Sequence, residues 1–477
     1  MNETITACLL SGADPFTPHE IVIKGGVIAS ILPAGAKPAR RLVALPALAN
    51  AHDHCRPLSP TSFGAANKPL ETWLLKLGAM PAIDPYLGAL AAFGRAARAG
   101  AGSVMAHYTR FHGPMPPVEE AKLVARAANE VGLRVTLAVF MRDRNPLVYG
   151  DAKPILAALD PESRAIVEAT FFAAPPSAAE QIARVEAIAA AVESETFSVQ
   201  FGPNGPQWCS DALLAAIGEA SRRTGRRVHM HLLETLYQRA FADAAYPEGV
   251  TKRLAALGFL SERVTLAHCV HARTEDLDEI ARAGAVIATN PSSNLHLRSG
   301  VAPIGEAFKR GCRVAIGVDA SALDEDDDIL REMRLGHFLH GGWGFQEGVS
   351  REDWLGAIVA HGRFGNGAPG DGALKIGAPA DILVLDLDAL DRDAVATVEP
   401  VDLVFSRAHA AHVEALHVAG RAVVEDGKLK SIDLAATQES LRQQYRERVP
   451  SRAPFLRAFA ALEPKAIEFY RDGLGCC

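Results

Sequence analysis

Positive charge is short in this sequence: 49 lysines and arginines face 56 aspartates and glutamates, for a formal net charge of −7. Binding to a phosphate backbone demands a clustered basic surface, so nucleic acid is not an expected partner. Also absent is any uninterrupted apolar run long enough to cross a bilayer. Met1 to Asp14 shows no basic stretch leading into an apolar core and a cleavage site. Membrane insertion and secretion are therefore not expected. Cysteine is present without pattern: Cys8, Cys55, Cys209, Cys269, Cys312, Cys476 and Cys477 form an odd, scattered set. Such a set is no disulfide framework and fits a reducing cytoplasm. What remains is a chain of 477 residues, 49% hydrophobic and 22% charged, which is ordinary globular composition and too long for one small core.

Along the chain, short β-rich apolar runs alternate with longer Ala/Leu/Glu/Arg-rich stretches that read as helices. The runs are Leu42 to Ala51, Ser103 to Tyr108, Arg134 to Met141, Phe197 to Phe201, Arg227 to Leu233, Val264 to Val270, Ala285 to Asn290 and Arg313 to Asp319. Helices are expected at Pro117 to Val131, Ala178 to Val192, Ser210 to Thr224, Thr274 to Ala283 and Pro303 to Arg310. Eight βα units in series predict an α/β fold, a closed (β/α)8 TIM barrel over residues 46–371. Residues 1–45 and 372–427 carry short strand patterns with glycine turns, at Ile21 to Ile31 (with Gly25-Gly26), Asp381 to Leu385 and Val413 to Val424. Each segment is too small to bury a core alone, so the two are expected to pair into one small composite β-sandwich domain. Residues 428–477 read as a helical tail packed on the outside.

The titratable groups of interest fall at the C-terminal ends of barrel strands, where this architecture assembles its active sites. In Ala51-His52-Asp53-His54 the two imidazoles lie two residues apart on a strand, so both face one side and Asp53 the other. The fifth strand ends in His229-Met230-His231-Leu232-Leu233-Glu234. His231 is nearer the mouth, and His229 reads as a structural residue one layer deeper. The sixth strand closes on His268 and the eighth on Asp319. A histidine beside an apolar strand is ordinarily a satisfied core residue; the joint placement is what points to a metal. Imidazoles and a carboxylate with room for water make a catalytic rather than a structural site.

As an ordered set, Ala51 to His54, His231-Leu232-Leu233-Glu234, Ala267-His268-Cys269, Asn290-Pro291-Ser292-Ser293-Asn294 and Gly317-Val318-Asp319 resemble the amidohydrolase superfamily. The similarity is to its mononuclear branch, which contains cytosine, guanine and S-adenosylhomocysteine deaminases and the triazine hydrolases. The resemblance covers nearly the whole chain. It implies His52, His54, His231 and Asp319 as metal ligands, and Glu234, His268 and Asp319 as catalytic residues. The fourth strand ends at Phe201-Gly202-Pro203-Asn204 without the lysine that two-metal relatives carboxylate, which implies one divalent ion. Zinc is the default for three nitrogens and one oxygen, and ferrous iron tolerates the same donors. Where the family places a histidine after the proline, this chain has Asn204, which argues against a standard purine substrate.

Substrate contacts are expected from strand-end residues. Arg56, Arg110, Arg142 and Arg144 can receive a carboxylate or other anion through forked hydrogen bonds, or else pair with loop acids such as Asp143. His107 and His271 read as substrate contacts or as ordinary loop histidines. Trp73 reads as a cover for a planar ring or a helix contact, and Asn204 and Asn294 complete the set. The run Asp324 to Asp328 reads as solvated. The favoured function is hydrolytic deamination of a small nitrogen heterocycle or amidine-like compound. The alternatives are opening of an imidazolone- or hydantoin-like ring, dehalogenation of a triazine, and a non-catalytic metal-binding scaffold. The last would expect Glu234 or His268 to be lost, and both are present. The partner is a small molecule, in a homo-oligomer such as a dimer.

Overall fold

The computed structural model describes all residues except 1, 37, 112–114, 320–324 and 473–477. The chain opens with β1 (Asn2–Leu9), β2 (Pro18–Lys24), β3 (Val27–Pro33) and β4 (Leu42–Pro46). It then enters β5 (Leu48–Asp53), β6 (Ala101–Tyr108), β7 (Arg134–Met141), β8 (Phe197–Pro203), β9 (Val228–Leu232), β10 (Val264–His268), β11 (Val286–Thr289) and β12 (Arg313–Ile316). These last eight form one sheet in sequential order, every neighbouring pair parallel. The expected TIM barrel is therefore the observed one. Its ends meet where the sequence placed the site: His52 O accepts from Val318 N at 3.1 Å and from Asp319 N at 3.0 Å.

The intervening helices follow their local signals. Pro117–Val131 starts on a proline, which loses no hydrogen bond there, and stops at Gly132 in the left-handed region. Ala178–Val192 opens with a capping box between Ser177 and Glu180. One strand reading is corrected. Leu42 to Ala51 was expected as a single barrel strand, but β4 belongs to the small sheet and β5 to the barrel. Pro46 has no N–H to continue a ladder, and Ala47 N donates to Asp381 O (3.0 Å) as the chain crosses from one sheet to the other.

After a short hairpin, β13 (Gly342–Trp343) and β14 (Gln346–Glu347), the chain adds β15 (Ile382–Asp386), β16 (Val413–Val418), β17 (Arg421–Glu425) and β18 (Lys428–Leu429). The composite sheet runs β18-β17-β16-β15-β4-β1-β2-β3, antiparallel except between β1 and β4. It curls over itself, with Ile28 N donating to Ala378 O and Ala380 N to Gly26 O, each at 2.9 Å. Ile5, Ile21, Ile23, Ile28, Ile382 and Val384 fill the space enclosed. Asp381 ties this sheet to the barrel by accepting from Arg134 Nε (2.9 Å) and Arg363 Nη2 (2.8 Å).

The tail forms helices Leu434–Arg448 and Ala453–Arg471. The second helix does more than lie on the outside: Phe455, Phe459 and Leu462 pack with Leu75, Leu147, Tyr149 and Trp208 on the loops at the barrel mouth.

Candidate active site

His52 lies on β5, His54 one residue past its end, His231 on β9, and Asp319 on the turn after β12. Their side chains converge. Asp319 Oδ1 is 3.0 Å from both His52 Nε2 and His54 Nε2, and His231 Nε2 is 3.4 Å from His54 Nε2. The remote nitrogens are fixed by backbone. His54 Nδ1 donates to His107 O and His231 Nδ1 to Asn204 O, each at 2.8 Å. With those protons committed, neutral rings turn bare Nε2 lone pairs toward each other and toward a carboxylate. Burial disfavours the alternative of protonated rings: it pulls His52 down to about 3 and His231 well below the ordinary range. Facing lone pairs repel unless a cation lies among them. Three imidazoles and a carboxylate, with His54 and His231 held from behind by backbone carbonyls and Asp319 by Ser293, thus fit a divalent ion.

Asp319 is held for this purpose. Burial alone would raise its pKa, yet the imidazoles of His52 and His54 packed against it pull it well below the ordinary carboxylate range. Ser293 Oγ donates to its Oδ2 at 2.5 Å. Glu234 is the opposite case: burial, reinforced by the nearby charges of Asp319 and Glu71, pushes it well above the usual carboxylate range. Its backbone N donates to Gln238 Oε1 (2.9 Å), while Oε1 is buried without a hydrogen-bond partner. His268 Nε2 lies 3.6 Å from Glu234 Oε2 and 4.0 Å from Asp319 Oδ2. Its Nδ1 faces Asn294 Oδ1 at 2.9 Å and Asn290 Nδ2 at 3.2 Å, one acceptor and one donor, so either tautomer finds a partner. His268 and Asp319 adopt left-handed backbone (φ of 75° and 56°), a strained conformation for residues with a β-carbon.

A cavity opens over these groups. Of the expected substrate contacts, Arg56, Trp73, Arg110, Arg142 and Asn204 line it together with His54, His231, Glu234, His268 and Asp319. Four expected contacts do not. His107 is fully buried against the His52, His54 and His231 imidazoles, its Nδ1 3.0 Å from His229 Nδ1. His229, as expected of a deeper residue, stacks on His52 at 4.8 Å between centroids. Asn294 sits behind His268 and serves as its partner. His271 Nε2 is turned to Ser299 O at 2.8 Å, and Arg144 reaches Pro206 O at 3.3 Å outside the cavity wall. Asp143 pairs with none of the arginines, because it accepts from Ser210 N and Oγ at 2.7 and 2.5 Å.

Trp73 stands on the helix Leu70–Lys76, buried, with the Arg56 guanidinium 5.2 Å from its ring centroid. Burial lowers Arg56 to about 10, helped by the charge of Arg110. Wall residues that the sequence did not single out include Leu70, Thr109, Phe171 and Trp208. Trp208 lies four residues past Asn204, and Thr109 adjoins a strand end, so both carried a signal. The acidic run is also corrected: Asp327 and Asp328 are buried, the first paired with Arg95 at 2.6 Å and the second with Arg331 at 3.0 Å, while Asp324 lies outside the described residues.

The sequence model of the amidohydrolase family matches residues 43–426. Over 438 residues the chain is 28% identical to a 5-methylthioadenosine/S-adenosylhomocysteine deaminase of Pyrococcus abyssi, covering 89% of this chain and 94% of the relative. A 5'-deoxyadenosine deaminase of Methanosarcina barkeri is 29% identical over 250 residues, 52% of this chain and 57% of that one. The chain thus spans little more than half of that relative. Among solved structures, a zinc-bound adenosine deaminase from Xanthomonas campestris superposes with a TM-score of 0.73 at 23% identity, covering 91% of this chain and 94% of the other. A triazine hydrolase variant gives 0.78 at 20% identity, covering 93% and 99%. These two likenesses carry the fold.

Proposed function

The chain belongs to the amidohydrolase family, and on that premise we propose that it is a metal-dependent hydrolase of non-peptide carbon–nitrogen bonds that deaminates a small nitrogen heterocycle or amidine-like compound. The observation that carries the reading is the gathering of His52 and His54 Nε2 at 3.0 Å from Asp319 Oδ1 with His231 Nε2 3.4 Å from His54 Nε2, beside Glu234, a carboxyl group whose pKa burial raises. His52, His54, His231 and Asp319 would hold the ion. We assign zinc, for which the donor set is well suited; ferrous iron takes the same donors. When bound, such an ion supplies Lewis acidity, bringing the pKa of a coordinated water down to about neutral.

The protein's own groups do the rest. Asp319 Oδ2, already facing Ser293 Oγ, accepts the proton of the attacking water. Glu234, its Oε1 free of partners, delivers a proton to the ring or to the departing nitrogen, which leaves as ammonia. His268 Nε2 lies within reach of both carboxyl groups, so it can hydrogen-bond the charge that develops on the substrate and steady the proton passing between them. The apolar wall of Leu70, Leu74, Leu77 and Leu297 excludes water from the face of the ring. Assembly as a homodimer and a cytoplasmic setting complete the reading and rest on the resemblance and the cysteine pattern.

A panel of heterocycles assayed for ammonia tests the chemistry. Ammonia in step with substrate loss is expected, whereas a ring-opened or dehalogenated product without ammonia would contradict deamination. Glu234→Gln keeps the shape and loses the proton: turnover should fall about 10²- to 10⁴-fold with metal content unchanged. Unaltered turnover would show that the proton carrier lies elsewhere.

A further inference from the structure

Several arginines withdrawn from solvent are paired with acids. Arg95 pairs with Asp327 at 2.6 Å, Arg239 with Asp276 at 2.7 Å, and Arg134 and Arg363 share Asp381 at 2.9 and 2.8 Å. Each of these charges is met by a carboxylate. Arg56, Arg110 and Arg142 are not: among the described residues no carboxylate lies within ion-pair distance of any of them, and all three line the active-site cavity.

Their hydrogen bonding is just as thin. The Arg110 guanidinium has one long contact, Nη2 to Met80 O at 3.5 Å. Arg56 has only the face of Trp73, and its Nε is buried without a partner. The Arg142 side chain lies 6.0 Å from the Phe140 ring centroid, while its backbone is pinned by Gln181. The acids that line the cavity are engaged: Asp319 with His52, His54 and Ser293, and Glu234 beside His268. Desolvating a guanidinium without a counter-charge is costly. Three in one cavity, at the ends of consecutive strands β5, β6 and β7, make a positive stretch of wall with no carboxylate in ion-pair contact among the described residues.

Guanidinium forks match oxyanions in a plane, and Trp73 and Trp208 offer flat apolar surface for a ring in the same cavity. We propose that the substrate ring carries an oxyanionic substituent, a carboxylate or a phosphate group, held by Arg56, Arg110 and Arg142 while the carbon under attack lies toward Glu234 and Asp319. The assignment of the reacting end rests on the hydrolase reading above; the anion site does not.

The test is calorimetric titration of the metal-loaded protein with benzoate, phenyl phosphate and benzamide, which share a ring and differ in charge. At least one of the two anions should bind tenfold or more tightly than benzamide, and the tighter of the two identifies the group. Arg110→Met and Arg142→Met should each weaken that anion about tenfold or more and leave benzamide unchanged. Both variants should melt no lower than the parent, because an unpaired buried charge is removed. Arg142→Lys, which keeps charge and loses the fork, should fall between. Equal binding of the three probes, or anion affinity that survives in both methionine variants because the anion sits on the ion, would overturn the proposal. Selective anion binding with no ammonia from any anionic heterocycle would instead contradict the hydrolase reading and leave this site standing. Ammonia from neutral rings without anion selectivity would do the reverse.

Discussion

A missing β-carbon at Gly317 lets the barrel close around its own site. A Cβ there would fall 2.6 Å from His52 O, 2.7 Å from His52 N and 2.4 Å from Asn290 Oδ1. Two of those atoms are backbone of the strand that carries a proposed ligand, so nothing yields cheaply. Gly317→Ala should cost about 1–3 kcal/mol of stability by overpacking and should lower metal content, as read by thermal unfolding and metal analysis; a fully loaded variant of parental stability would contradict this. Residue spacing made part of the site legible in advance. His52 and His54 share a strand face by the period of two, and Glu234 and His268 sit at strand ends. Depth was legible for His229 and not for His107. The same alternation that brings His231 to the cavity leaves His107 and His229 beneath it, and nothing in sequence says that His271 turns to Ser299 O or that Arg144 turns to Pro206 O.

Elements were read well where their ends are punctuated and poorly where one run serves two sheets. The helices Pro117–Val131, Ala178–Val192 and Thr274–Ala283 match their expected bounds because proline, capping serine or left-handed glycine marks their limits. The run from Leu42 to Ala51 reads as continuous because both halves are buried and apolar, and only Pro46 hints at the crossing. The C-terminal helix shows another limit. Its apolar face announces that it packs, without saying on what. It packs on the cavity loops: the Phe455 ring lies so close to Gly78 that a Cβ there would meet it at 2.4 Å, and Gly78 lines the cavity. Phe455→Ala should therefore destabilise by about 3–5 kcal/mol and also raise KM, because the cavity wall loses its backing. A change in stability with KM untouched would confine the helix to a purely structural role.

Across the whole molecule, the cluster sets how stability follows pH. His52, His107, His229, His231 and His268 are all lowered, burial being the first cause in each. In the unfolded chain they titrate at about 6.5; folded, they stay neutral to lower pH, to about 3 for His52. Below about 6.5 the unfolded state therefore binds more protons, so stability falls as pH drops through that value and is recovered as pH rises above it. The metal-free protein should lose melting temperature steeply between pH 7 and 5, and a bound ion, favouring the neutral rings, should shift the loss to lower pH. A flat melting temperature over that range would contradict the burial of neutral imidazoles.

The central claim is that one ion, held by His52, His54, His231 and Asp319, makes this barrel a hydrolase. Metal analysis of the purified protein beside Asp319→Asn, with ammonia release measured on both, tests it most directly. The account predicts one divalent ion per chain in the parent, with removal by a chelator and restoration by zinc switching ammonia release off and on, and loss of both ion and activity in the variant. Two ions per chain, or ammonia release that persists without metal, would contradict it.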